Sequence, residues 1–238
     1  MPEKTGRKTS CVGLGKVHPI LGLPSLVCVP VGPDTADLSE YVEGFLAEDD
    51  SLTSARARGV KLGCDPVSPA TGAALRFLAT VLQAKAVVEV GTGTGVSGLS
   101  LLRGMAPDGV LTSIDVDPEN QAYAKRTFSE AGVAPGRTRL IMGRALDVLP
   151  RLTDGGYDLL FADAAKLEYP AYAEQGVRLL RPGGVLAFDN VGVLADPNRR
   201  DPEATALREV ARAVRDDDRL VPLLLPLGGC LLVAAKTA

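Results

Sequence analysis

Two short groups of residues in the second half of the chain have the types and spacing to do chemistry. One is Asp163 with Lys166 in Phe-Ala-Asp-Ala-Ala-Lys, and the other is the pair Asp189-Asn190. Two carboxylates and an amide form an oxygen-only donor set, which suits a hard divalent cation, Mg²⁺ or Ca²⁺. Zinc, which prefers nitrogen and sulfur, suits it less well. Mg²⁺ usually keeps several waters, and a substrate with two neighbouring hydroxyls can replace two of them. Chelation lowers the pKa of a hydroxyl, and a lysine beside it can then take the proton and leave a nucleophilic oxygen. Taken singly, each group has a plainer reading: Asp-Asn as an Asx turn, the lysine as a solvated surface residue. Their joint occurrence after two strands favours the site.

A second constellation lies upstream, in Ala86-Val-Val-Glu-Val-Gly-Thr-Gly-Thr-Gly95. An apolar run meets Glu89 and then Gly91, Thr92, Gly93 and Gly95, which reads as a strand turning into a ligand loop. The helix that follows, Val96 to Met105, would aim its first N–H groups at the same place. Read from Gly93, the segment through Gly98 fits the dinucleotide fingerprint, and Asp115 stands about twenty residues on, where a ribose-binding acid is expected. Read from Glu89, it is E-x-G-x-G-x-G, which resembles the loop of class I S-adenosylmethionine (SAM) methyltransferases. The loop alone leaves both cofactors open.

Charge favours one of them. Glu89, Asp115, Asp163 and Asp189 all stand at or near strand ends, and in an open α/β sheet ligands bind beyond the carboxyl ends of strands. A pyrophosphate there would be repelled, whereas SAM carries a sulfonium and an ammonium. Asp115 offers two oxygens to a ribose diol, and Asp117 suits the N-cap of a helix starting at Pro118.

The elements needed to position these residues follow from periodicity. Helical spacing of Tyr41, Phe45 and Leu52 predicts a helix from Leu38 to Arg58, and Leu75, Leu78 and Leu82 predict another from Pro69 to Gln83. Strands at 86–90, 110–115, 138–142, 157–162, 184–189, 219–225 and 230–235 then alternate with helices at 96–105, 119–131, 145–152, 171–180 and 203–215. This predicts an α/β fold: a Rossmann-like, seven-stranded, mostly parallel sheet with helices on both faces. The short connection Pro226-Leu-Gly-Gly229 makes the last strand antiparallel.

Composition sets outer bounds. The chain has 238 residues, 46% hydrophobic, with net charge −3. That is enough for one α/β domain, read as residues 37–238, and it carries no broad electrostatic footprint for nucleic acid or anionic lipid. No run reaches the ~20 apolar residues of a membrane span. The partner expected is therefore a small molecule. Residues 1–36 read as a flexible arm: Lys4, Arg7, Lys8 and Lys16 precede an apolar stretch, but Pro19, Pro24 and Pro30 interrupt it and no cleavage pattern follows. Cys11, Cys28, Cys64 and Cys230 form no C-x-x-C pair, which fits a reducing cytoplasm. His18 has no partner in sequence.

Taken together, the two constellations resemble the metal-dependent O-methyltransferase family that includes catechol and caffeoyl-CoA O-methyltransferases, from about Leu38 to the C-terminus. The resemblance implies metal ligation by Asp163, Asp189 and Asn190 and a catalytic role for Lys166. It implies SAM contacts at Val67, Glu89, Gly91, Ser97, Asp115, Ala145 and Asp163, with Thr92, Gly93 and Gly95 in the loop. It further implies Mg²⁺, a small hydroxyl acceptor of the catechol or hydroxycinnamoyl type, and a homodimer. The chain departs from the family pattern at three places. Ala165 replaces a second acid, Val191-Gly-Val-Leu194 lacks an aromatic residue, and Gly228-Gly229-Cys230 stands where relatives often read G-D-G. An NAD(P)-dependent oxidoreductase and a non-catalytic SAM-binding module are the competing readings.

Overall fold

Runs such as Val87-Val88 and Leu159-Leu160-Phe161 are apolar on consecutive positions, so a strand made of them must be covered on both faces. The computed structural model, which describes residues 35–237, covers them in that way. The expectations placed on the first 34 residues, His18, Cys11 and Cys28 among them, lie outside the described residues. Strands β1 (Ala86–Val90), β2 (Val110–Asp115), β3 (Thr138–Met142), β4 (Tyr157–Ala162), β5 (Leu180–Phe188), β6 (Leu220–Leu225) and β7 (Leu231–Lys236) form one sheet of order β3-β2-β1-β4-β5-β7-β6. The first five are parallel, and β7 runs antiparallel to both of its neighbours.

Successive strand residues feed opposite cores. Val87, Leu159 and Ala187 pack with helices α2 (Asp50–Lys61), α3 (Pro69–Val81), α4 (Val96–Gly104) and α5 (Pro118–Glu130) on one face. Val88, Leu160 and Leu186 pack with α6 (Ala145–Val148), α7 (Tyr169–Leu179) and α8 (Pro202–Asp216) on the other. Strand order reverses direction between β1 and β4, so a crevice opens beyond their carboxyl ends, where such sheets bind ligands.

Three elements differ from the sequence expectation, the first being β5, which begins at Leu180, four residues before the predicted 184. Three helices precede β1, because the predicted helix 38–58 is divided into α1 (Thr35–Gly44) and α2. The Asp49 carboxylate accepts the N–H of Leu52 at 3.1 Å and starts α2 afresh, satisfying an amide that has no partner inside the helix. The apolar spacing ran through this break because the two helices turn different faces inward: Leu52 is buried, while Tyr41 and Phe45 are exposed. The predicted helix 145–152 stops at Val148 and continues as a 3₁₀ turn, since Pro150 has no N–H to carry the α pattern. No helix among the described residues is long and apolar enough to cross a membrane.

Candidate active site

The glycine loop leaves β1 at Gly91, which has φ +94° and whose missing Cβ would collide with the carbonyl oxygen of Asp163. Only glycine permits this approach, and it brings the ends of β1 and β4 together. The loop is held from the next strand. Asp115 Oδ2 accepts the N–H groups of Thr92 and Gly93, both at 3.0 Å, and Oδ1 accepts the N–H of Asp117 at 2.9 Å. Asp117 in turn caps α5, as its sequence context predicted.

Glu89 lies behind this loop. It is fully buried, and its carboxylate accepts the Ser97 hydroxyl at 2.6 Å and the Ser113 hydroxyl at 2.5 Å. Burial pushes its pKa up to about 7; the two serine hydroxyls pull the other way, and the charges of Asp115 and Asp163 add to the rise. Glu89 thus supports Ser97 from below and does not line the cavity. Gly95 also turns away from it: at φ +88° it starts α4, and a Cβ built on it would press on Ala124 and Phe128 of α5.

Between loop and strand ends lies a cavity of about 430 Å³. Val67, Gly91, Thr92, Gly93, Ser97, Asp115, Asp163, Lys166 and Asn190, all singled out in the sequence, line it, whereas Asp189 lies behind its wall. Ala165, the position of the missing second acid, lines it too. Ala145 lines an adjoining pocket of about 140 Å³ that shares Gly91, Asp115, Val116 and Ala164 with the first. Asp65 joins Asp115 and Asp163 in the wall, so three carboxylates face one lysine. That balance suits a cation and repels a pyrophosphate.

At the β4 and β5 ends, a single 3₁₀ turn from Lys166 to Glu168 folds the lysine back over the strand that precedes it. Lys166 Nζ donates to Asp163 Oδ1 at 2.9 Å, to the Tyr169 hydroxyl at 2.7 Å and to the Asp189 carbonyl at 3.3 Å. Tyr169 is fully buried, and its hydroxyl is also within reach of the Ala162 and Asp189 carbonyls at 3.2 and 3.1 Å. Burial first, and then the charges of Asp163 and Asp189, raise its pKa, so it stays a neutral hydroxyl that both donates and accepts.

Asp189 is only 5% exposed, and among the described residues its Oδ1 has no hydrogen-bond partner. Burial and the nearby Asp163 charge push its pKa up to about 7, with the Asn190 backbone and Lys166 acting in the opposite sense. Asn190 follows in the left-handed region, φ +58°, a conformation that asparagine tolerates better than most residues. An orphaned buried carboxylate oxygen is costly unless something else engages it, and a hard cation is the partner its chemistry fits. Among the described residues no three His, Cys, Asp or Glu side chains are gathered for a metal.

Sequence reasoning missed Tyr169, Asp65 and Ser113. The Lys-x-x-Tyr spacing was a usable signal for the first, because one tight turn brings such residues together. Asp65 carried none, since its loop reaches the crevice only through the packing of α2 and α3. Arg56 on α2 holds that loop by donating to the Val67 carbonyl at 2.7 Å.

The chain is similar to known proteins. The profile of a family described as O-methyltransferase matches residues 39–237. A protein from Mycolicibacterium vanbaalenii, provisionally named an O-methyltransferase, is 54% identical over 199 residues, 82% of this chain and 88% of its own. The structure of the O-methyltransferase TomG from Streptomyces achromogenes, involved in tomaymycin synthesis and bound to SAM, superposes with TM-score 0.76 at 30% identity, covering 85% of this chain and 96% of that one. An O-methyltransferase from Bacillus cereus in complex with SAH gives TM-score 0.76 at 26% identity, covering 84% and 97%.

Proposed function

The chain belongs to the O-methyltransferase family and is a SAM-dependent enzyme; from that premise we propose that it methylates a hydroxyl of a small catechol-like or hydroxycinnamoyl-type acceptor, with Mg²⁺ held by Asp163, Asp189 and Asn190. The observation that carries this reading is the unpartnered, buried Oδ1 of Asp189 in the same cluster as Asp163 and Lys166.

On the donor side, the amides of Thr92 and Gly93 orient Asp115 in the cavity wall, where its carboxylate oxygens face the place of a ribose diol. Glu89 fixes Ser97 at the foot of α4, and the wall of Asp65, Asp115 and Asp163 favours the positive groups of SAM. When bound, Mg²⁺ supplies Lewis acidity that lowers the pKa of an acceptor hydroxyl and orients two neighbouring oxygens. Lys166 Nζ is the group placed to take the hydroxyl proton. The ammonium so formed is held by Asp163, Tyr169 and the Asp189 carbonyl. The acceptor oxygen then attacks the methyl carbon in line: the oxygen–carbon bond forms, the sulfur–carbon bond breaks, and neutral S-adenosylhomocysteine leaves.

The test is a mass-spectrometric screen of diphenols and hydroxycinnamoyl thioesters with SAM. Methylated product is expected with Mg²⁺ and is lost in EDTA, while SAM binding persists in both. Undiminished turnover in EDTA would defeat the metal assignment. The same reading takes residues 37–238 as one methyltransferase domain. It extends to a homodimer, supported by the exposed apolar residues Tyr41, Phe45 and Phe77, and to a cytoplasmic setting, supported by the free thiols of Cys64 and Cys230.

A further inference from the structure

Glu43 stands in the last turn of α1, where a negative charge opposes the helix dipole. Its carboxylate is used elsewhere. Oε2 accepts the N–H of Ala70, in the first turn of α3, at 2.9 Å, and Oε1 accepts the N–H of Gly228, in the turn between β6 and β7, at 3.1 Å. Two segments far apart in sequence are thus held by one side chain, and one of them ends a helix whose free amides favour an anion.

The β6–β7 turn has a second attachment on its other side. The Gly229 carbonyl accepts the Gly192 N–H at 2.8 Å, and the Cys230 carbonyl accepts the Val191 N–H at 3.0 Å. Gly229 lies so close to Asn190 that a Cβ built on it would sit 2.6 Å from Asn190 Oδ1 and 3.1 Å from its Cα. On the α3 side, a Cβ on Gly228 would sit 2.6 Å from the hydroxyl of Ser68, the N-cap of that helix. The turn is therefore a wedge of bare backbone between the α3 N-terminus and Asn190, and the left-handed conformations of Gly228 and Cys230 shape it for that fit.

We propose that Glu43 is a positioning residue for the acceptor side of the site: it seats the β6–β7 turn, and the turn holds Asn190 in place. The glycine loop is anchored separately, by Asp115, so the effect is confined to one half of the crevice. The inference rests on the proposed role of Asn190 as a cation ligand, and its test separates the two.

Hydrogen exchange is measured on the full chain with SAM bound, for wild type, Glu43→Ala and the more conservative Glu43→Gln. Glu43→Ala should speed exchange at Val191 and Gly192 as well as in the 226–230 turn, and leave the 91–98 loop unchanged. Direct Mn²⁺ titration should show affinity weaker by about tenfold in Glu43→Ala, less in Glu43→Gln, which keeps one acceptor oxygen, with the SAM Kd within about twofold. Unchanged exchange at Val191 and Gly192 overturns the proposal, as does unchanged Mn²⁺ affinity in a protein that binds it. A parallel loss of SAM affinity overturns it too, because that marks a general loosening. A wild type that binds no Mn²⁺ would instead defeat the metal assignment, and the exchange pattern would then decide the coupling by itself.

Discussion

The donor and acceptor halves of the crevice sit side by side on one sheet edge and are built on opposite terms. On the donor side the two carboxylates behind and beside the glycine loop already have partners: Glu89 has two serine hydroxyls, and Asp115 has three backbone amides. On the acceptor side Asp189 is buried with an unpaired oxygen, Asn190 and Cys230 occupy the left-handed region, and the position of Asn190 depends on a turn from the far end of the chain. The first arrangement is rigid before anything binds, as suits a cosubstrate that is always the same. The second keeps an unmet electrostatic demand, which a cation and its acceptor can satisfy.

The contrast can be tested by removing one carboxylate from each half. Asp189→Ala is expected to have the largest effect, lowering turnover by at least ~10²-fold, because on the proposed reading it removes a cation ligand beside the base. SAM affinity should hold and Tm should stay level or rise, because an unpaired buried carboxylate is a burden on the fold. A fall in Tm, or a weaker SAM Kd by calorimetry, would show that Asp189 belongs with the satisfied half.

Asp115→Ala should do the reverse. The amides of Thr92 and Gly93 lose their acceptor, and the SAM Kd should rise about 10- to 100-fold, while Mn²⁺ binding is retained. An unchanged SAM isotherm would remove Asp115 from the donor half.

The smallest effect is expected from Glu89→Gln, read as Tm against pH. The pKa of Glu89 rises from an ordinary 4.5 when unfolded to about 7 when folded, so between those values the folded chain binds the extra proton. Stability from this group is thus fully present below about pH 4.5 and is lost as pH rises through about 7. The glutamine variant should lack that decline and gain about 5 °C on wild type at pH 8 relative to pH 5. Parallel Tm profiles for the two proteins would show that Glu89 keeps an ordinary pKa.

Much of this was legible because strands and loops leave local signatures. The bounds of β1 to β4 follow from apolar runs closed by Gly or Asp, and Asp117 announces α5. Asp163, Lys166, Asp189 and Asn190 could be singled out because each falls at the end of a strand or just beyond it, and strand ends converge in a parallel sheet. The break between α1 and α2 was obscured, because Tyr41, Phe45 and Leu52 keep helical spacing across it while facing different surroundings. The withdrawal of Glu89 and Gly95 from the cavity was likewise hidden, since a motif shows which residues form a loop and not which way each one points.

The sequence by itself determined the sheet, the glycine loop and the oxygen donors at the strand ends, since these rest on local backbone preference and the two-residue period of strands. Tertiary structure alone decided which oxygens are satisfied. Glu89 finds Ser113, Asp115 finds the Thr92 amide, and Glu43 reaches Gly228 across 185 positions, while Asp189 Oδ1 finds nothing. Hydrogen-bond satisfaction depends on distances of a few tenths of an ångström between segments remote in the chain, and no local pattern encodes those.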